Sequence, residues 1–174
     1  MTFRTAAAIF GLLLLLICGC GGEPAPEKAK ATLVNSQGQK VGEAQLEETS
    51  GGVKIILKVE NLPPGVHAFH IHEKGDCHGP DFMTAGGHFN PFGKKHGLKN
   101  PEGPHAGDLP NLVVGADGKE TLETIATQVT LKPGKNSLFH HGGTSLVIHA
   151  GPDDYLTDPA GNAGARIACG VITK

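Results

Sequence analysis

The sequence contains no tryptophan, one tyrosine and only 5% aromatic residues overall. It has no excess of basic side chains. Fifteen Lys and Arg stand against 17 Asp and Glu, a net charge of −2, which excludes a basic nucleic-acid binder on electrostatic grounds. No run of like charge suggests an interaction tail. No dinucleotide-binding glycine pattern, phosphate-binding loop or internal repeat is present. The one long apolar run, near the N-terminus, is short for a membrane-spanning helix. What is abundant is glycine, with 26 residues, and proline, with 12. That composition favours short strands and long loops over helices. A chain of 174 residues is long enough for one domain with a real core.

The N-terminal stretch "MTFRTAAAIFGLLLLLICGCGG" has one early Arg, an apolar run, then small residues and Cys. That is the pattern of a secretory signal. Its ending "ICGC" resembles a bacterial lipobox, with Ile17, Gly19 and Cys20 in the expected places and Cys18 an unusual residue between them. The resemblance implies cleavage before Cys20 and lipid attachment to it. Residues 1–19 are then the signal, 20–29 a lipidated flexible tether and 30–174 the exported domain, anchored to the bacterial membrane and facing the extracytoplasmic space. Of the four cysteines, Cys18 leaves with the signal and Cys20 carries lipid. Cys77 and Cys169 remain, and an oxidising compartment favours a disulfide between them.

From Lys30 onward, short segments alternate apolar and polar residues with period two: "KATLVN", "VGEAQLEET", "GGVKIILKVENL" and "GVHAFHIHE". The turn signals "NSQGQK", "SGG" and "LPPG" separate them, predicting an antiparallel meander. From about Lys74 to Pro110 the alternation gives way to Gly, Pro and His. Loops of that length within a compact domain are usually functional or disordered. Strand patterning returns in "NLVVGADGKETLETIATQVTL", "TSLVIHA" and "ARIACGVIT", with a second irregular stretch at 150–163. The expected fold is all-β: about eight antiparallel strands, closed or nearly closed, with two long functional loops.

Ten histidines are distributed unevenly. In a regular strand His70 and His72 project from one face while Phe69 and Ile71 point into a core. A pair of imidazoles at i and i+2 is half of a transition-metal site. His67 shares the parity of Phe69 and is a supporting residue instead. The first loop adds His88, His96 and His105, then Asp108. Three imidazoles and a carboxylate suit a four-coordinate zinc site, around which a long loop could fold. His149 ends the strand "TSLVIHA". His78, His140 and His141 fit neither set and read as solvated.

The segments "GVHAFHIHEKGDC", "GGHFNP", "KKHG", "GPHAGDLPN", "TSLVIHAGPDDY" and "GNAGARIACGVI", in that order, resemble the copper/zinc superoxide dismutase family over residues 30–174. The resemblance implies a Greek-key barrel or sandwich holding one copper and one zinc per chain. His70, His72 and His149 match copper ligands, and His88 matches the histidine that bridges both metals. His96, His105 and Asp108 match the remaining zinc ligands. Asp153 matches the carboxylate linking the two ligand shells, Cys77 and Cys169 the disulfide, and Arg166 the active-site arginine. All seven ligand positions carry the expected residue type.

The activity so implied is conversion of superoxide to O2 and H2O2. It needs a metal that exchanges single electrons, which copper does and zinc does not. Arg166 would guide the anion and His88 would carry a proton. The resemblance allows a homodimer. The sixteen residues between His149 and Arg166 contain three Asp and no Lys or Arg, a shorter loop than in eukaryotic members, so guidance rests on Arg166 and the metals. Two other classes remain: an exported copper-buffering lipoprotein on the same fold, and a zinc-stabilised interaction module. Neither needs both a bridged pair of sites and Arg166.

Overall fold

The computed structural model describes Met1 and residues 27–174; the expected signal and the Cys20 lipid site lie outside the described residues. Nine strands form: β1 Lys28–Asn35, β2 Lys40–Thr49, β3 Gly52–Val59, β4 Gly65–His67, β5 Phe69–His72, β6 Leu112–Val114, β7 Glu120–Ala126, β8 Ser145–His149 and β9 Arg166–Val171. Among the described residues the only helical element is a single 3-10 turn, Met83–Ala85. β1 begins two residues inside the expected tether. The expected eight strands become nine because Ala68 interrupts "GVHAFHIHE".

The alternation reads directly as burial. In β1 and β3 every second residue is buried, including Leu33, Ile55 and Leu57, all fully enclosed. Phe69, Ile71, Leu112 and Leu146 join them in one core. Each such side chain stabilises the fold by about 1.5–3 kcal/mol through apolar area removed from water.

The main sheet runs β5-β8-β9-β1-β2-β3-β7, and β4 pairs separately with β6. All strand pairings are antiparallel. The meander therefore holds only through β3. The next neighbour of β3 is β7, not β4, and that crossover makes the Greek key. β6 packs beside β7, and β4 continues into β5 across Ala68, so the sheet curls back towards its own first edge.

β5 and β8 are buried on both faces. Leu146 and Ile148 enter the main core, whereas Val147 packs with Phe82, Ala85 and Cys169 in a second cluster. That second layer is the 73–111 loop, folded over the outer face of β5, β8 and β9. The loop also closes the free edge of β5. The Phe89 amide donates to the Ile71 carbonyl (2.8 Å), and the Ile71 amide donates to the Gly107 carbonyl (2.9 Å). An exposed strand edge is thereby paired within the chain.

A Cys77–Cys169 disulfide, with Cα atoms 5.6 Å apart, ties the loop to β9 across a sequence separation of 92. For a closed loop near 100 residues the chain-entropy model gives about 4–5 kcal/mol. Replacing both cysteines by Ser is expected to lower the unfolding free energy by about 2–5 kcal/mol in denaturant melts. An unchanged midpoint would show that the loop is held without the bond.

Candidate metal centre

β5 presents His70 and His72 on the face opposite Phe69 and Ile71, as the strand period requires. β8 runs antiparallel beside it, and a register shift between Ile148 and His149 lies next to the third imidazole. The loop residue His88 is bridged to His72 by backbone pairing, and Asp108 to His70 in the same way. These pairings bring residues separated by up to 79 positions into two adjoining clusters. In one, ligand atoms of His70, His72, His88 and His149 all lie within 4.8 Å of one another; in the other, those of His88, His96, His105 and Asp108 do. His88 belongs to both. No member is more than 7% exposed.

The outer ring nitrogens fix the inner ones. His72 Nδ1–H donates to the Gly86 carbonyl (3.0 Å), and His149 Nδ1–H to the Gly164 carbonyl (3.1 Å). His70 Nε2–H donates to Asp153 Oδ2 (2.9 Å). A neutral imidazole has one N–H, so each opposite nitrogen carries a lone pair. Those atoms, His70 Nδ1, His72 Nε2 and His149 Nε2, are buried without a partner, as are His88 Nε2 and His105 Nδ1. An unpaired buried acceptor is costly, and a convergent set of them fits a transition-metal ion. Burial lowers the pKa of His70 to about 3 and of His149 to about 4, and holds His72 well below the ordinary value. The lone pairs are therefore free of protons at neutral pH.

The second cluster gathers around one carboxylate oxygen. His88 Nδ1 and His96 Nδ1 lie 2.8 and 3.1 Å from Asp108 Oδ1, and His105 Nδ1 lies 3.4 Å from it. The other oxygen accepts the amides of Gly97 (2.8 Å) and His105 (3.0 Å). Burial alone would raise the Asp108 pKa, but the surrounding imidazoles hold it well below the usual carboxylate range. His96 sits between two acids, with Nε2–H donating to Asp153 Oδ1 (2.9 Å). Burial opposes its protonation, yet Asp108 and Asp153 outweigh burial and raise it to about 9. A cation at Nδ1 must displace that proton. One oxygen, three ring nitrogens and enclosure match the donor set of a closed zinc site.

Asp153 thus touches one histidine of each cluster. Two features behind this were not read from the sequence. The Asn111 side chain grips the Asp153 peptide from both ends, Nδ2 donating to its carbonyl and Oδ1 accepting its amide, each at 2.9 Å. Gly161 has φ +61°, and a Cβ there would collide with the Asp153 carboxylate and with His96 Nε2. Neither spacing nor residue type marks Asn111 or Gly161 without the neighbour that each meets.

His67, expected as a supporting residue, is one. Its ring nitrogens face the carbonyls of His149 and Pro63, each at 2.8 Å, which pins the end of β8 to the turn before β4. Arg166 is held the same way, donating to the carbonyls of Phe82 (2.7 Å) and Gly86 (2.6 Å) on either side of the 3-10 turn. Burial lowers its pKa. It lines a cavity of about 450 Å³ together with His72, His88, His105 and His149. No Lys lines that cavity. His78 and His141 are exposed, as expected. His140 is not simply solvated: it is half-buried and stacks on Phe89 with ring centroids 5.1 Å apart.

The copper/zinc superoxide dismutase (SODC) family matches residues 40–172. A superoxide dismutase (Cu-Zn) 2 of Aquifex aeolicus is 60% identical over 147 residues, which cover 83% of this chain and 86% of that one. Among solved structures, a superoxide-dismutase-like protein of Bacillus subtilis superposes with a TM-score of 0.80 at 47% identity, over 82% of this chain and 96% of that one. The Cu/Zn superoxide dismutase of Brucella abortus gives 0.70 at 35% identity, over 84% of this chain and all of that one. With the sheet order, the paired histidine clusters and these likenesses in agreement, the chain belongs to the copper/zinc superoxide dismutase family.

Proposed function

We propose that His70, His72, His88 and His149 hold one copper and that His88, His96, His105 and Asp108 hold one zinc, in an exported, lipid-anchored superoxide dismutase. The enzyme converts superoxide to O2 and H2O2. The observation that carries the ligand reading is the convergence of buried ring nitrogens on both sides of His88, without partners on the side of His70, His72 and His149 and gathered about Asp108 Oδ1 on the other. Bound copper supplies one-electron exchange with superoxide, and bound zinc supplies fixed positive charge without redox chemistry.

The protein's own groups do the rest. Arg166, immobilised by two carbonyls, directs a positive guanidinium into the cavity that holds His72, His88 and His149, where it attracts and orients a small anion. His88 Nε2 has no protein partner and faces that same cavity, so it is the ring atom at which a proton can be held and passed to the reduced substrate. Its Nδ1 is directed at the second cluster, 2.8 Å from Asp108 Oδ1, where bound zinc would replace the ring proton and keep the ring in place. Asp153 holds the rings of His70 and His96 from behind, and His67 holds the backbone of His149.

Export and anchoring through Cys20 rest on the N-terminal pattern described above. Stable attachment requires more than one acyl chain, which a lipidated N-terminal cysteine can provide. The homodimer is part of the same reading, supported by Val66 and Val113, cross-strand partners left 42% and 60% exposed on the β4–β6 ribbon.

Arg166→Ala should slow superoxide consumption by about 10-fold or more, within the range known for electrostatic guidance, at unchanged copper and zinc content. Added salt should slow the wild type more than the variant, because ions screen the guiding charge. Full activity with the wild-type salt response would remove Arg166 from the reaction.

His96→Ala should weaken zinc binding beyond the roughly 10–100-fold typical of losing a mere supporting partner, while part of the copper is retained. Metal analysis after loading with both ions reads this, and equal zinc in variant and wild type would refute the assignment. Cys20→Ser should move the protein from the membrane fraction into soluble or uncleaved forms. Unchanged fractionation and mass would exclude the anchor.

A further inference from the structure

Asp153 lies in a stretch without regular secondary structure, yet both of its oxygens are committed to buried histidines. Something must hold it there. The Asn111 clamp fixes its peptide, and a second residue closes the arrangement. The Tyr155 amide donates to Asp153 Oδ1 (2.6 Å), and the Tyr155 hydroxyl accepts the backbone N–H of Asn111 (2.8 Å). Asn111, Asp153 and Tyr155 therefore form a closed ring of hydrogen bonds.

Tyr155 also adopts φ 66°, in the left-handed region that a residue with a bulky side chain avoids. That conformation turns its carbonyl towards the first loop, where it accepts the Lys99 amide (3.0 Å). The approach is close enough that a Cβ on Gly97, the residue after His96, would strike the Tyr155 carbonyl. One residue thus links Asp153 through its amide, the turn that follows His96 through its carbonyl, and the Asn111 segment that follows Asp108 through its hydroxyl.

We propose that Tyr155 is a positioning residue for both metal clusters, acting through Asp153: its hydroxyl and amide hold the carboxylate at His70 and His96, and so set how tightly the second cluster retains its ion. The proposal rests on the ligand reading given above. It assigns a role to the single tyrosine of the chain, which lies outside both clusters.

Tyr155→Phe removes the hydroxyl acceptor and little else. The holoenzyme carrying it should release zinc to a chelator about 10-fold faster than wild type, the lower end of the range for partners behind a ligand. Because the hydroxyl acts through Asp153, the same substitution in an Asp153→Ala background should add no further acceleration. The electron paramagnetic resonance spectrum of bound Cu(II) should shift in Tyr155→Phe, since His70 shares the carboxylate. Equal zinc release by wild type and Tyr155→Phe would overturn the proposal, as would an equal acceleration in both backgrounds, which is the mark of general loosening. Failure of the wild type itself to take up zinc would refute the ligand reading instead, so the two failures are told apart.

Discussion

The burial of imidazole lone pairs against one another is the constraint on which the structure depends. Within the two clusters five ring nitrogens are enclosed with no hydrogen-bond partner, and a buried unpaired acceptor costs about 1–3 kcal/mol. A domain with a net stability of about 5–15 kcal/mol does not collect such groups in one place unless something compensates them. Cations do so, and the remaining geometry supplies what cations require. The outer nitrogens are tied to carbonyls or to Asp153, so the inner lone pairs point one way. The family assignment gives those cations their identity, copper and zinc.

The two clusters are built with different rigidity. His70, His72 and His149 sit on paired strands, and His88 is joined to β5 through the backbone. The disulfide and the Arg166 contacts press the same part of the loop onto the sheet. That half is fixed by a covalent bond and backbone pairing, with Arg166 and Asp153 adding side-chain contacts. His96 and His105 lie in turns beyond it. They are held by Asp108, by Asp153, and by Asp158, whose Oδ1 accepts the His96 amide (2.8 Å). The second cluster, where we propose zinc binds, is thus the half whose order depends most on side-chain charge.

What could be read from sequence follows from periodicity. Strand alternation alone separates His70 and His72 from Phe69 and Ile71, and it assigns His67 to the supporting side. It fails at Ala68, where the strand breaks, because a one-residue interruption leaves the alternation of types intact. It cannot show that β3 pairs with β7, since register between distant segments is set by packing and not by local pattern. The loop ligands are legible as a zinc set from residue type, although their spacing is too wide for any one element, and only the resemblance assigns His88 to both clusters. The place of His140 is not legible in the sequence because stacking on Phe89 depends on a fold-level contact.

The second loop shows how a short segment replaces charge with geometry. Its Asp153, Asp154 and Asp158 would repel an incoming anion if they faced it. Instead Asp153 is turned inward onto two histidines, and Asp154 accepts hydrogen bonds from the Leu156 and Thr157 amides of its own loop. Asp158 bonds the His96 amide and pairs with Lys95 (3.3 Å). Each carboxylate is spent on structure. The cavity beside His88 is left with Arg166 as its basic side chain, beside Glu73 as its acidic one. In a chain whose net charge is negative, attraction of superoxide must then arise within a few ångströms of the metals. Arg166, the guiding charge we propose, sits at the turn Met83–Ala85, whose flanking carbonyls of Phe82 and Gly86 orient Arg166 and His72. In the proposed site, substrate guidance and metal coordination therefore share one backbone segment.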